Sequence, residues 1–108
     1  MSREKIVEES LGPEDKIQKT YEGELDGVHG MISMSKRKLL FISEKGIFRK
    51  SFSLVLDLPY EKIKSFRTEG KHNLIIETED REHTFKSQYL RISIAEKALR
   101  EIMEQEPS

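Results

Sequence analysis

Between Phe52 and Phe66, Phe52, Leu54, Leu56 and Leu58 alternate with Ser53, Val55 and Asp57 before Pro59-Tyr60-Glu61-Lys62-Ile63 breaks the pattern. Period two predicts a half-buried strand, and a proline at its end predicts a turn. Similar runs flank it. Ile17 to Leu25 reads as a first strand, Gly23, Gly27 and Gly30 loosen the next connection, and Met31 to Ser35 reads as a second strand. Ser35-Lys36-Arg37-Lys38 is a turn. Leu39-Leu40-Phe41-Ile42 is a third strand, apolar on both faces, as expected when the barrel buries one side and a helix or partner the other. Glu44-Lys45-Gly46 turns the chain into the fourth strand, in which Leu54 and Leu56 define the core face and Val55 points away.

Tyr60 and Ile63 are spaced to fall inward together ahead of a fifth strand from about Lys64 to Thr68. Gly70-Lys71-His72-Asn73 is a hairpin-type loop, Leu74 to Thr78 a sixth strand, and Glu82 to Ser87 a seventh, with His83, Phe85 and Ser87 on one face. The last element is a helix. Ser93 and Glu96 stand at capping-box spacing, Ala95, Ala98, Leu99, Ile102 and Met103 form one apolar stripe, and Pro107 follows its end. At the amino terminus Ser2 caps a helix of about eight residues that Gly12-Pro13 ends; too short to persist alone, it either docks or frays. The predicted architecture is mainly β: seven strands in meander order, bent into a partly open barrel and capped by one helix. The division is a segment over 1–15, a domain over 16–104 and a tail over 105–108.

Composition narrows the function classes. The chain of 108 residues makes one domain, and its charged share of 36% is offset by clustering of the apolar residues into short runs. It has no cysteine, which excludes disulfides, thiolate zinc sites and thiol nucleophiles. The first residues lack the apolar core of a secretory signal, so the expected location is the cytoplasm. The net charge of -1 is unevenly spread: residues 36–71 carry ten bases and four acids, whereas residues 1–15 and 72–108 are acidic. A basic face is therefore available.

The runs Gly30 to Ile42, Leu56 to Ile63 and Leu74 to Thr78 resemble the bacterial and archaeal pleckstrin-homology-like domains and their GRAM-type relatives, over about residues 16–104. The resemblance implies a strongly bent seven-stranded sheet with the carboxy-terminal helix plugging one end. It also implies a non-catalytic module that binds phosphoinositides, peptides or proteins. The phosphoinositide sites of the eukaryotic relatives place bases around the loop after the first strand. Here that stretch reads Gly23 to Gly30 and carries Glu24 and Asp26, which would repel a phosphorylated inositol.

Two candidate surfaces remain. Lys36, Arg37 and Lys38, with Lys45, Arg49 and Lys50 at the other end of the third strand, could contact an extended anionic surface but are too far apart for one headgroup. Ile47, Phe48 and Val55 could line a protein-binding groove beside a sheet edge. A protein partner or a second copy of the chain ranks first and anionic lipid second. Nucleic acid ranks last, because most aromatics are claimed by the core and only Phe48 looks free to stack. No cofactor, metal site or catalytic residue is expected. His29, His72 and His83 lie in separate elements, and Asp26 with His29 is the single local acid and imidazole pair.

Overall fold

A computed structural model describes residues 2–88 and 91–105. The elements run α1 (Arg3–Ser10), β1 (Ile17–Leu25), β2 (Val28–Ser35), β3 (Lys38–Lys45), β4 (Ser51–Pro59), a 3₁₀ turn (Tyr60–Lys62), β5 (Ile63–Glu69), β6 (Asn73–Thr78), β7 (Glu82–Lys86) and α2 (Ile92–Met103). All seven strands are antiparallel in one sheet of order β4-β3-β2-β1-β7-β6-β5. The sheet does not close. β4 and β5, consecutive in sequence, are its two edges, and β1 meets β7 only at Glu24 and Leu25.

The core face follows the strand alternation. Ile32, Met34, Leu39, Phe41, Leu58, Leu74, Ile76 and Phe85 are buried with Ile92, Ala95, Leu99 and Ile102 of α2, and Phe41 and Phe85 meet edge to face with centroids 6.4 Å apart. Helix α2 thus covers the concave side through its apolar stripe. Its start departs from the capping box: the helix begins at Ile92, Arg91 is its N-cap without a side-chain bond, and Ser93 lies inside the first turn. The reason is packing. Ile92 is buried, and its N–H donates to the Lys71 carbonyl, so a loop carbonyl takes the place of a serine cap. Pro107 lies outside the described residues.

The opposite face of β3 is also buried. Leu40 and Ile42 are inaccessible there, and α1 rests on this side against β4 with Ile6 buried. Ser2 caps α1 by accepting from the Lys5 N–H, and Leu11, not Gly12, ends it. Lys38 Nζ donates to the Ser10 carbonyl at 3.0 Å, and Arg3 bonds the Met31 sulfur. A helix too short to persist alone is thereby held by the sheet.

The connection between the first two strands is tighter than the glycine spacing suggests. Only Asp26 and Gly27 form the turn, with φ of 50° and 87°, while Gly23 to Leu25 belong to β1 and Val28 to Gly30 to β2. Two positive angles define the hairpin turn that suits the strand twist. Gly23 and Gly30 face each other across the hairpin for a different reason. A Cβ at Gly23 would meet the Phe85 ring and the Lys86 carbonyl, and one at Gly30 would lie 2.2 Å from the Ile42 carbonyl oxygen.

Candidate interaction surface

The β4 edge differs from its alternating prediction at one residue. Phe41 pairs with Leu56 but Ile42 pairs with Leu54, which leaves Val55 as an extra, bulged residue. The bulge reverses the facing of the strand's first half. Leu56 and Leu58 pack on the core, whereas Leu54, paired with Ile42, faces the side on which α1 lies and is 41% exposed. Leu54 and Leu56 therefore do not share one core face. Val55 is 45% exposed beside them.

The loop into β4 holds the most exposed apolar side chains of the described residues, Ile47 at 87% and Phe48 at 99%. Gly46, at φ 103°, makes the turn; a Cβ there would lie 2.1 Å from the Arg49 carbonyl oxygen. Among the described residues, four of the five exposed large hydrophobic residues, Ile47, Phe48, Leu54 and Val55, thus sit on β4 or the loop that feeds it. Ile47 and Phe48 cluster at the loop, and Val55 lies further along the strand.

The two edges are guarded differently. On β5, Lys64, Arg67 and Glu69 place charges along the strand, and Phe66 is covered by α2 with the Arg100 guanidinium 4.8 Å from its ring centre. On β4, residues 51–56 read Ser-Phe-Ser-Leu-Val-Leu and carry no charge. An uncharged, partly apolar edge with unpaired backbone groups is a template for another strand.

The six bases fall into two groups. Lys36, Arg37 and Lys38 lie at one end of β3 and Lys45, Arg49 and Lys50 at the other, separated by an eight-residue strand spanning roughly 23 Å. Lys38 is held by Asp57 at 3.1 Å, and the Lys36 N–H bonds Asp15 at 3.0 Å. Lys50 pairs with Glu44 at 2.8 Å; that bond lowers the Glu44 carboxyl and raises the Lys50 ammonium from their ordinary ranges. Lys45 and Arg49 flank Ile47 and Phe48, so bases and apolar groups meet at this loop.

The acid and imidazole pairing predicted for Asp26 and His29 is replaced by another. His29 faces Glu22 at 3.4 Å, while Asp26 reaches across to β7, with Oδ2 2.8 Å from His83 Nδ1 and 3.3 Å from Arg81, and Oδ1 2.8 Å from the Thr84 N–H. Burial pushes the Asp26 carboxyl up, but the Thr84 N–H, His83 and Arg81 together hold it below its usual range. This constellation locks the β1–β2 turn onto β7. Sequence spacing could not pair residues 57 positions apart, although the Asp-Gly signal of a two-residue hairpin would have freed Asp26 from the long loop. Among the described residues no cluster of histidine, aspartate or glutamate could hold a metal ion, and no helix is long and apolar enough to cross a membrane.

An unclosed sheet of seven antiparallel strands whose concave side is covered by a carboxy-terminal helix defines a pleckstrin-homology-like domain. The chain belongs to the bacterial PH domain family, whose model matches residues 11–104. No curated protein matches the chain. Domains of this family commonly mediate interactions and are generally non-catalytic binding modules.

Proposed function

We propose that this domain is an interaction module that takes an extended strand of a protein partner on its β4 edge. The observation that carries the reading is the coincidence of three properties on one strand: an open edge, no charge over residues 51–56, and exposed apolar side chains at Leu54 and Val55 with Ile47 and Phe48 adjacent. Backbone amides along an edge supply affinity, and flanking apolar side chains supply selectivity. The test is to select binders from a display library of extended peptides and map them by amide chemical shifts. Peptides that shift Ser51 to Leu56, leave Lys64 to Thr68 unmoved, and are lost on Val55→Asp with an unchanged circular dichroism spectrum support the reading. Selected peptides that map to β5 or to α2 refute it.

A second reading rests on the loop at Gly46 to Lys50. Ile47 and Phe48 stand free between Lys45 and Arg49, an arrangement suited to shallow contact with an anionic lipid surface, each well-placed base contributing about 1 kcal/mol. It predicts binding to anionic but not neutral vesicles, weakened by salt and by Phe48→Asp. Vesicle binding that persists in Phe48→Asp or at high salt would exclude this loop.

A further inference from the structure

The β4 edge is complementary to itself in the antiparallel sense. On the face toward α1 it carries Phe52 and Leu54 before the Val55 bulge and Asp57 after it; on the core side it carries Ser51 and Ser53 before the bulge and Leu56 and Leu58 after it. Resting on the β4-edge reading above, we infer that a second copy of this chain is the strand that docks there, β4 against β4, about a two-fold axis through Ser53.

The register follows from symmetry. A two-fold axis normal to a sheet pairs residues of the same face, so with Ser53 opposite itself, Phe52 stands opposite Leu54 of the second copy. The bulge then advances the register by one residue. Ser51 falls opposite Leu56, both on the core side, and Lys50 falls opposite Asp57. No register of an unbulged strand would satisfy both pairings.

Charge complementarity fixes the direction. Lys50 already holds Glu44 at 2.8 Å, and Asp57 already holds Lys38 at 3.1 Å. Antiparallel docking joins these two local pairs into a row of alternating sign, Glu44, Lys50, Asp57 and Lys38, repeated by symmetry on the other side of the axis. A parallel arrangement would set Lys50 beside Lys50 and Asp57 beside Asp57.

The absence of cysteine makes the register directly readable. Residues facing each other across an antiparallel pair have Cα atoms about 4.5–5.5 Å apart, within disulfide reach. Sedimentation velocity of the full chain should show a dimer. Ser53→Cys should then cross-link to itself under mild oxidation, and Ser65→Cys on the β5 edge should not. Lys50→Asp should weaken self-association roughly tenfold or more, because it sets an acid beside both Glu44 and Asp57 of the second copy. A monomer at about 500 µM overturns self-pairing alone, since the edge is then open to the peptides of the display test. A dimer that cross-links through Ser65→Cys, or that is indifferent to Lys50→Asp, also overturns β4 self-pairing, and the display test then decides separately whether the β4 edge takes a foreign strand.

Discussion

Replacing Asp26 tests whether one carboxylate secures the join between the two halves of the sheet. Its cost has three parts. Asp26 sits at φ 50°, where alanine loses the polar side chain that makes this region tolerable, about 1 kcal/mol. The bond from the Thr84 N–H at 2.8 Å is near solvent, and losing it costs about 0.5–1 kcal/mol after rehydration. The contact to His83 at 2.8 Å matters more, because His83 is nearly buried and would keep a poorly satisfied ring nitrogen, about 1–2 kcal/mol. Asp26→Ala should therefore cost about 3 kcal/mol in urea unfolding at pH 7 with an unchanged m-value. Asp26→Asn keeps the turn geometry and an acceptor for Thr84 and should cost about 1 kcal/mol. The pH dependence has a definite sign. Because the folded carboxyl lies below its usual range, its stabilisation is complete above the unfolded carboxylate range and is lost as pH falls through the folded value. The gap between wild type and Asp26→Ala should narrow from pH 7 toward pH 3. Equal losses in the two variants, or a gap that widens on acidification, would refute this account.

Three further outcomes follow from local geometry. Gly30→Ala should destabilise by roughly 2–3 kcal/mol in thermal or urea unfolding, because its Cβ meets the Ile42 carbonyl and the Ser43 Cα, backbone atoms that cannot swing aside. Tyr60→Phe removes the bond from the buried hydroxyl to the Ser35 carbonyl at 2.6 Å and should cost about 1–3 kcal/mol. Since burial and then Asp15 raise the Tyr60 phenol well above its usual range, a spectrophotometric titration should show one phenol that ionises only as the fold is lost, missing in Tyr60→Phe. Ile6→Asp should release α1 from the sheet, read as fast hydrogen exchange over residues 3–10 while β6 and β7 stay protected.

The strands were legible because alternation and turn residues agreed. β1 matches its predicted bounds, and the buried His83, Phe85 and Ser87 fall on one face of the seventh strand and its end, as their spacing required. What sequence could not supply were features decided by distant contacts. The bulge at Val55 leaves the one-dimensional pattern of Phe52, Leu54, Leu56 and Leu58 intact while sending its first half to the other face. The true partner of Asp26 lies on β7, and the start of α2 is set by a loop carbonyl instead of Ser93. For the candidate surface, the exposure of Phe48 could be read from its place in a turn. That the charged edge would be β5 and the bare edge β4 required the strand order.

The opening between the edges is held by specific contacts. Where β4 ends, the chain crosses to β5 through the 3₁₀ turn, and Tyr60 ties that crossing to the β2–β3 turn twice. Its N–H donates to the Arg37 carbonyl at 3.2 Å and its hydroxyl to the Ser35 carbonyl at 2.6 Å. Ser35 Oγ is in turn bonded to Asp15 at 2.8 Å and accepts from the Lys38 N–H, so the anchor is rigid. A crossing pinned to the far side of β3 keeps β4 and β5 from pairing, although they are neighbours in sequence and each has one free edge. Charges along β5 then deter a foreign strand on that side, whereas residues 51–56 carry no charge. If β4 takes a strand as proposed, Tyr60 is a positioning residue for that docking. Loosening its anchor should weaken strand docking on β4 even where the fold survives, and the peptides selected for the β4 edge would measure it.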